Sequence, residues 1–490
     1  MDPIIVLLIS IIVVIFAWFY VRRRGPKLPP GPYPFPIIGN ILQLGRNPHQ
    51  SLADLSKTHG PLMSLKLGSI YTVVVSSPEL AKLFLQEHDQ VFSGRTISAA
   101  AEAHEHDKYS MALMPAGERW KKARRLCREH MFSARQLEAG AGLRREKLQK
   151  LLDYVRECSV NGRAVNLGEV AFVTSLNLLT VTLFSVDFTE FDSDATQQLK
   201  ETIEGVTKVL GAPNVADFFP FLKRWDPQGI KRRSELHFGK LLAILRGIIN
   251  ERLESRSVQR KNDLLDTLLD VMEGSEYDLS FKEIQHVLLD LFLGGSDSTQ
   301  STVEWAMTEL LAKPEKMSKA KNELRSVVGE NNQVEESDVS SSRLPYLGAV
   351  IKETLRLHPP GPLLIPRRAD REVEIGGYMI PQNAQIFVNV WAIGRDSSIW
   401  PNATSFEPER FLDSKIELKG QDFELIPFGS GRRMCPGLAL ADRMLHLMLG
   451  SLLHNFDWKM EGGVRPDTQE EFGLALHKAL PLKAIPLYCF

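Results

Sequence analysis

A helix of about 32 residues is written into the chain between two marked ends, and any fold has to be built around it. Ser280 and Glu283, three apart in S-F-K-E, form a capping-box start, and Lys313-Pro314 marks the stop. At 1.5 Å per residue such a helix runs roughly 48 Å, so it must cross the core. Leu288, Leu291, Gly295, Thr299, Thr302 and Ala306 recur at steps of three and four and share one face. The middle, Gly294-Gly295-Ser296-Asp297-Ser298-Thr299, suits a helix poorly. Each glycine costs about 1 kcal/mol relative to alanine, and Ser and Asp side chains compete for main-chain hydrogen bonds. Two readings follow: a tolerated kink filled by packing, or a local opening where small residues leave room for a ligand beside hydroxyl and carboxylate groups.

A second stretch, Ile426 to Gly437, reads I-P-F-G-S-G-R-R-M-C-P-G and crowds one thiol with glycines and prolines. Gly429 and Gly431 allow positive φ and close backbone approach. Leu438, Leu440, Ala441, Met444, Leu445, Met448, Leu449 and Leu452 then follow with helical spacing. Cys435 is therefore expected on a tight loop just ahead of a helix, where N–H groups and the helix dipole favour a thiolate. Such a thiolate is a nucleophile or a metal ligand. Zinc would need about four ligands, and the loop holds no second Cys or His. A buried small hydrophobe is the plainer reading of a lone cysteine, but it leaves the glycines and Arg433 unexplained.

Composition narrows the class. With 43% hydrophobic residues in 490 the chain can bury a large core, and a net charge of −1 gives no reason to expect a nucleic-acid partner. Cysteines at 127, 158, 435 and 489 do not make a disulfide framework, so a reducing, cytosol-facing body is expected. Ile4 to Val21 is an apolar run broken only by Ser10, long enough to span a bilayer, with Arg22, Arg23 and Arg24 directly after it. No positive charge precedes the run and no small-residue cleavage site follows, so it reads as an anchor, with the arginines and the rest of the protein in the cytosol. Six prolines between Pro26 and Pro36 make an extended, stiff connection. The expected organisation is an anchor at 1–24, a proline-rich hinge at 25–36 and one catalytic domain at 37–490.

The rest is mainly α with a small β portion. Alternation over Leu62 to Val75 around Gly68-Ser69 predicts a hairpin; Glu372 to Ile380 around Gly376-Gly377 predicts another, and Ala384 to Val390 a further strand. Pro345 opens a helix ending before Pro359 that carries Glu353 and Arg356 three apart. Trp120 and Arg124 share a helical face in R-W-K-K-A-R-R, which alone reads as a solvated basic helix. The apolar piece A-P-N-V-A-D-F-F-P-F-L, between Val209 and Leu222, is either packed into the core or a membrane- or partner-facing patch.

Taken together, F-x-x-G-x-R-x-C-x-G at Phe428, Gly431, Arg433, Cys435 and Gly437 resembles the haem-ligand signature of the cytochrome P450 family. The E-x-x-R at Glu353 and Arg356 and the P-E-R-F at Pro408 to Phe411 follow the family's order. The resemblance implies the cytochrome P450 fold with an N-terminal transmembrane helix, haem b as cofactor, and Cys435 as the axial thiolate on iron. It also implies haem propionates held by Arg95, Trp120, Arg124, Arg367 and Arg433, and a network of Glu353, Arg356 and Arg410 bracing the loop. Asp297 and Ser298 stand where the family relays protons to bound oxygen; Ser298 replaces the usual Thr, and Thr299 is placed to share the role. Leu363, Leu364 and Ile365, with Leu474, Ala475 and Leu476, fall where the family lines its substrate pocket. The apolar piece before Leu222 would belong to the lid between two long helices, and the basic side chains around Arg124 would dock an electron donor.

The wider wording, including L-P-P-G-P-Y-P-F-P-I-I-G-N and V-F-S-G-R-T, resembles plant terpenoid hydroxylases of the geraniol hydroxylase and ferruginol synthase subfamily. The implied activity is oxygen insertion from O2 into a small apolar terpenoid, a mono- or diterpene, with electrons from NADPH through NADPH–cytochrome P450 reductase, at the endoplasmic reticulum membrane. A phenylpropanoid or alkaloid substrate, a reductase-independent haem-thiolate isomerase or lyase, and a non-catalytic haem-binding scaffold are the alternatives.

Overall fold

A computed structural model describes residues 27–274, 279–330, 332–339 and 343–488. The expected anchor at 1–24 and Cys489 lie outside the described residues. Seven helices position the site: α1 Glu118–His130, α2 Leu167–Phe184, α3 Asp194–Gly211, α4 Ile230–Ser255, α5 Phe281–Ala312, α6 Pro345–Leu357 and α7 Leu438–Asn455.

The long helix α5 has the predicted bounds for the predicted reasons. The Ser280 hydroxyl accepts from the Glu283 N–H, and the Glu283 carboxylate accepts from the Ser280 N–H at 2.9 Å, closing the capping box. Pro314 opens the next helix, so α5 stops two residues earlier. It packs chiefly on α2 and also on α4, α6 and α7. Helix α2 is apolar and long enough to cross a membrane, yet 89% of it is buried inside the protein. Leu176, Leu183 and Phe184 there have no solvent exposure, and burying each such side chain stabilises by about 1.5–3 kcal/mol. It is a core helix.

Among the described residues the β portion comprises twelve short strands: β1 Leu62–Leu67, β2 Ile70–Val75, β3 Gly94–Arg95, β4 Val165–Asn166, β5 Arg367–Arg368, β6 Val373–Ile375, β7 Tyr378–Ile380, β8 Gln385–Val388, β9 Phe456–Met460, β10 Glu470–Glu471, β11 His477–Lys478 and β12 Lys483–Tyr488. The largest sheet runs β1-β2-β8-β5-β3, with β2 and β8 parallel and the other pairs antiparallel. Both predicted hairpins form, turning on Gly68 and on Gly376-Gly377, all at positive φ. Strands β4, β12 and β9 make a second sheet, and β6-β7 and β10-β11 are two-stranded.

The described part of the proline-rich stretch is bonded to the large sheet: Pro30 and Pro29 carbonyls accept from the Ser64 N–H and hydroxyl at 2.8 and 2.6 Å. Between α3 and α4 the apolar piece is exposed at Phe221 but buried at Ala216. The Phe218 carbonyl accepts from both the N–H and the hydroxyl of Ser69, which ties this piece to the β1–β2 turn.

Candidate active site

The predicted loop and the middle of α5 face each other across one internal cavity of about 350 Å³, lined by Cys435, Asp297, Ser298, Thr299 and Arg367 among others. The loop is shaped by backbone needs. Gly429 and Gly431 have φ of 70° and 68°, and a Cβ on Gly431 would sit 1.9 Å from the Leu85 carbonyl oxygen. The Cys435 N–H donates to the Phe428 carbonyl at 3.0 Å, closing the loop on itself. Helix α7 starts at Leu438, as its spacing predicts.

Cys435 is exposed, but only into this interior space, with protein packed around it. Burial pushes its thiol pKa up, against the pull of the Gly437 and Leu438 N–H groups and of the Arg124 charge. The helix start therefore assists a thiolate without outweighing burial, and a cation at the sulfur would complete the balance. Among the described residues no three His, Cys, Asp or Glu side chains gather as a metal cage. A metal at Cys435 has to arrive with its remaining ligands.

Arg95, Arg124, Arg367 and Arg433 converge on one side of the cavity, and among the described residues none forms a salt bridge. Arg95 donates to the carbonyls of Ala112 and Ile365 at 3.0 and 2.6 Å, and Arg124 to that of Met434 at 2.7 Å. Arg367 donates through Nη2 to the Ser430 carbonyl at 3.0 Å, while its Nη1 is buried with no partner. Arg433 spends Nε, Nη1 and Nη2 on the carbonyls of Ser93, Met111 and Met114 and stacks on Trp120. The Trp120 indole N–H likewise goes to Met111 O, at 3.2 Å.

Burial lowers the pKa of all four guanidiniums. At Arg95, held well below the ordinary value, the charges of Arg367, Arg433 and Arg124 add to it. Arg367 and Arg433 fall to about 10, and Arg124 is lowered. Crowded buried cations with a spare donor call for an anion. A group bringing a metal to Cys435 and carboxylates to the arginines, as haem b does, fits these residues.

On α5 the helix runs unbroken through Gly294 to Thr299. Space comes from a missing side chain: a Cβ on Gly294 would meet nothing within 4 Å, whereas one on Gly295 would lie 2.6 Å from Leu179 of α2. One glycine opens the cavity and the other lets two helices approach. The hydroxyls of Ser298 and Thr299 donate to the carbonyls of Gly294 and Gly295 at 2.8 and 2.9 Å, four residues back. Asp297 is buried; its Oδ1 lies 3.1 Å from His477 Nε2, and its Oδ2 has no partner. Sequence reasoning stopped one residue short of His477, which carries no local motif.

Leu364, Ile365, Leu474 and Ala475 line the cavity. Leu363 and Leu476 do not, contrary to expectation. Leu363 packs under the β1–β2 hairpin with Leu65 and Val74, and Leu476 is fully buried, its carbonyl accepting from Ser301 and Trp305. The chain turns at Leu364, whose φ is 53°, and the turn sends Leu363 away from the cavity that the next two residues line.

Below the loop, Arg356 meets Glu353 in a fork of 2.7 and 2.8 Å, both side chains without exposure, and Arg410 Nε reaches Glu353 Oε1 at 3.1 Å. Arg356 also donates to the carbonyls of Gly394, Ala403 and Ser405. It borders Leu425, Ile426 and Pro427, where the cysteine loop begins. Around Arg124 the basic side chains are partly neutralised locally: Lys121 pairs with Glu118, and Arg125 and Arg128 pair with Glu129.

The family model described as Cytochrome P450 matches residues 29–483. A ferruginol synthase of Isodon rubescens is 55% identical over 489 residues, 99% of both chains. A sugiol synthase of Salvia miltiorrhiza is 52% identical over 476 residues, 96% of both, and a carnosic acid synthase of Rosmarinus officinalis 53% identical over 477 residues, 95% of this chain and 94% of that one.

Proposed function

The chain belongs to the cytochrome P450 family and is a monooxygenase of it, and from that premise we propose that it hydroxylates an apolar mono- or diterpene with electrons from NADPH through a reductase. The relatives named for ferruginol, sugiol and carnosic acid favour the diterpene. The observation that carries the reading is one cavity joining a thiol, four arginines that form no salt bridge among the described residues, an acid with a bare oxygen and apolar walls. When bound, haem supplies an iron centre that uses O2 and two electrons to oxidise an unactivated C–H bond.

The chain's residues divide the remaining work. Cys435 would ligate the haem iron through its thiolate, whose charge the N–H groups of Gly437 and Leu438 would hold. Arg95, Arg124 and Arg367 offer free donors to the propionates, while Trp120 and Arg433, committed to main-chain carbonyls, keep that side of the pocket in shape. Leu364, Ile365, Leu474 and Ala475 bind the substrate by exclusion of water. Asp297 moves protons through Oδ2, with Ser298 and Thr299 as hydroxyl partners. Ser298→Ala is expected to raise peroxide released per NADPH consumed several-fold; unchanged coupling would assign the hydroxyl role to Thr299.

Membrane attachment through Ile4 to Val21, outside the described residues, fits the exposed Phe35, Ile37, Phe221 and Trp225. Placement in the endoplasmic reticulum with the body in the cytosol, and the division into 1–24, 25–36 and 37–490, belong to the same reading. The deciding experiment is substrate-difference spectroscopy on the haem-loaded protein with monoterpenes, diterpenes and phenylpropanoids, followed by turnover with and without reductase and NADPH. A diterpene that shifts the spin state and is hydroxylated only with NADPH is the expected result. A response confined to phenylpropanoids overturns the terpenoid assignment, and turnover without reductase makes the enzyme an isomerase or lyase.

A further inference from the structure

Asp297 is gripped by a side chain that stands outside the cavity. His477 belongs to the two-residue strand β11, and the placement of that strand follows from α5 itself. The Leu476 carbonyl accepts from the Ser301 hydroxyl at 2.6 Å and the Trp305 indole N–H at 3.2 Å. Ser301 and Trp305 are four and eight residues beyond Asp297, on the same helical face. The strand is thereby stapled along that face, and the next residue, His477, comes opposite Asp297, its Nε2 3.1 Å from Oδ1. Asp297 lines the cavity and His477 does not, while the His477 side chain keeps 27% exposure. The Ser298 and Thr299 hydroxyls are satisfied within α5, and among the described residues His477 is the one side chain that contacts the Asp297 carboxylate.

Resting on the monooxygenase reading above, we infer that His477 is a positioning residue for oxygen insertion: it holds Asp297 by Oδ1 so that the unpartnered Oδ2 is the oxygen available for proton handling. The ring keeps its own proton throughout and supplies a bond and a charge.

The groups around His477 are Asp297 and Glu304 of α5, Glu204 and Lys200 of α3, Glu471 opposite it on β10, and Lys478 beside it. Burial works against a charged ring, but the charge and hydrogen bond of Asp297, with Glu304 and Glu204, outweigh it and hold the His477 pKa above its ordinary value. The sign follows. The imidazolium pair is complete below the ordinary histidine pKa and is lost as pH rises through the raised value.

The test uses the full-length haem-loaded protein in vesicles with reductase. The thiolate-type ferrous–CO band and NADPH-dependent turnover of the wild type are checked first; if either is missing, the monooxygenase reading falls and this inference with it. Given both, product formed per NADPH should decline on the alkaline side in the wild type. His477→Leu should lower it about tenfold at every pH, within what a positioned proton donor contributes. His477→Gln, which keeps a hydrogen-bond donor but neither the charge nor the titration, should hold coupling near the wild type's alkaline level at every pH, above that of His477→Leu, and it covers the case of a poorly folded Leu variant. Independently of turnover, the histidine NMR signal that vanishes in His477→Gln should titrate above the ordinary range and move back down in Asp297→Asn. Coupling in His477→Leu equal to the wild type, coupling in His477→Gln no higher than in His477→Leu, or a signal indifferent to Asp297→Asn would each overturn the assignment.

Discussion

Cys435→Ser is expected to abolish the red-shifted ferrous–CO band of thiolate ligation and all measurable turnover, while far-UV circular dichroism and the thermal transition stay close to wild type. The loop's shape depends on Gly429, Gly431 and the bond from the Cys435 N–H to Phe428 O, none of which needs the sulfur. A serine hydroxyl has a far higher pKa than a thiol and cannot supply a soft, electron-rich anion in the same place. No other described thiol can substitute. Cys127 is buried on α1, its pKa pushed up to about 12 by burial and by Asp290, and neither it nor Cys158 lines the cavity. Persistence of the band in the serine variant would therefore sink the ligand assignment.

The second large effect is on folding. Arg356→Ala is expected to destabilise the protein by about 3–5 kcal/mol, the cost of breaking a buried ion pair by removing one partner. Glu353, without exposure, would keep only Arg410 and the Glu407 N–H, and the carbonyls of Gly394, Ala403 and Ser405 would lose their donor. Against a typical total of about 5–15 kcal/mol this is a large fraction. The loss should appear as a lower urea midpoint and as poor haem retention, because Arg356 borders Ile426 and Pro427 at the root of the cysteine loop. Arg356→Lys keeps the charge but loses the planar fork, so most of the loss should remain. An unchanged midpoint in the alanine variant would show that the network does not brace the loop.

Much of this architecture is legible before folding is considered. The capping box at Ser280 and Glu283, the proline at 314 and the glycine turns at 68 and 376–377 act through a few neighbouring residues, and the structure reproduces them. The cysteine loop is equally local. The glycines of α5 were harder: the sequence marks both as costly, but only packing distinguishes Gly294, facing open space, from Gly295, pressed on Leu179.

What the chain alone determines, then, is everything encoded in φ preference, capping and hydrophobic period: where α5 begins and ends, how the loop presents Cys435, and that Glu353 and Arg356 share a helix face. Tertiary structure alone decides which distant groups meet. Arg95 and Arg367 lie more than 250 residues apart, and Asp297 and His477 about 180, with no periodicity or motif linking either pair. Their pairing depends on β5 joining β3 and on the Leu476 carbonyl binding α5. The same holds for Leu363 and Leu364, indistinguishable in a string of apolar letters and sent to opposite sides by the chain's path. A local signal is read within one turn or strand, whereas convergence across hundreds of residues is paid for by the packing of the whole core.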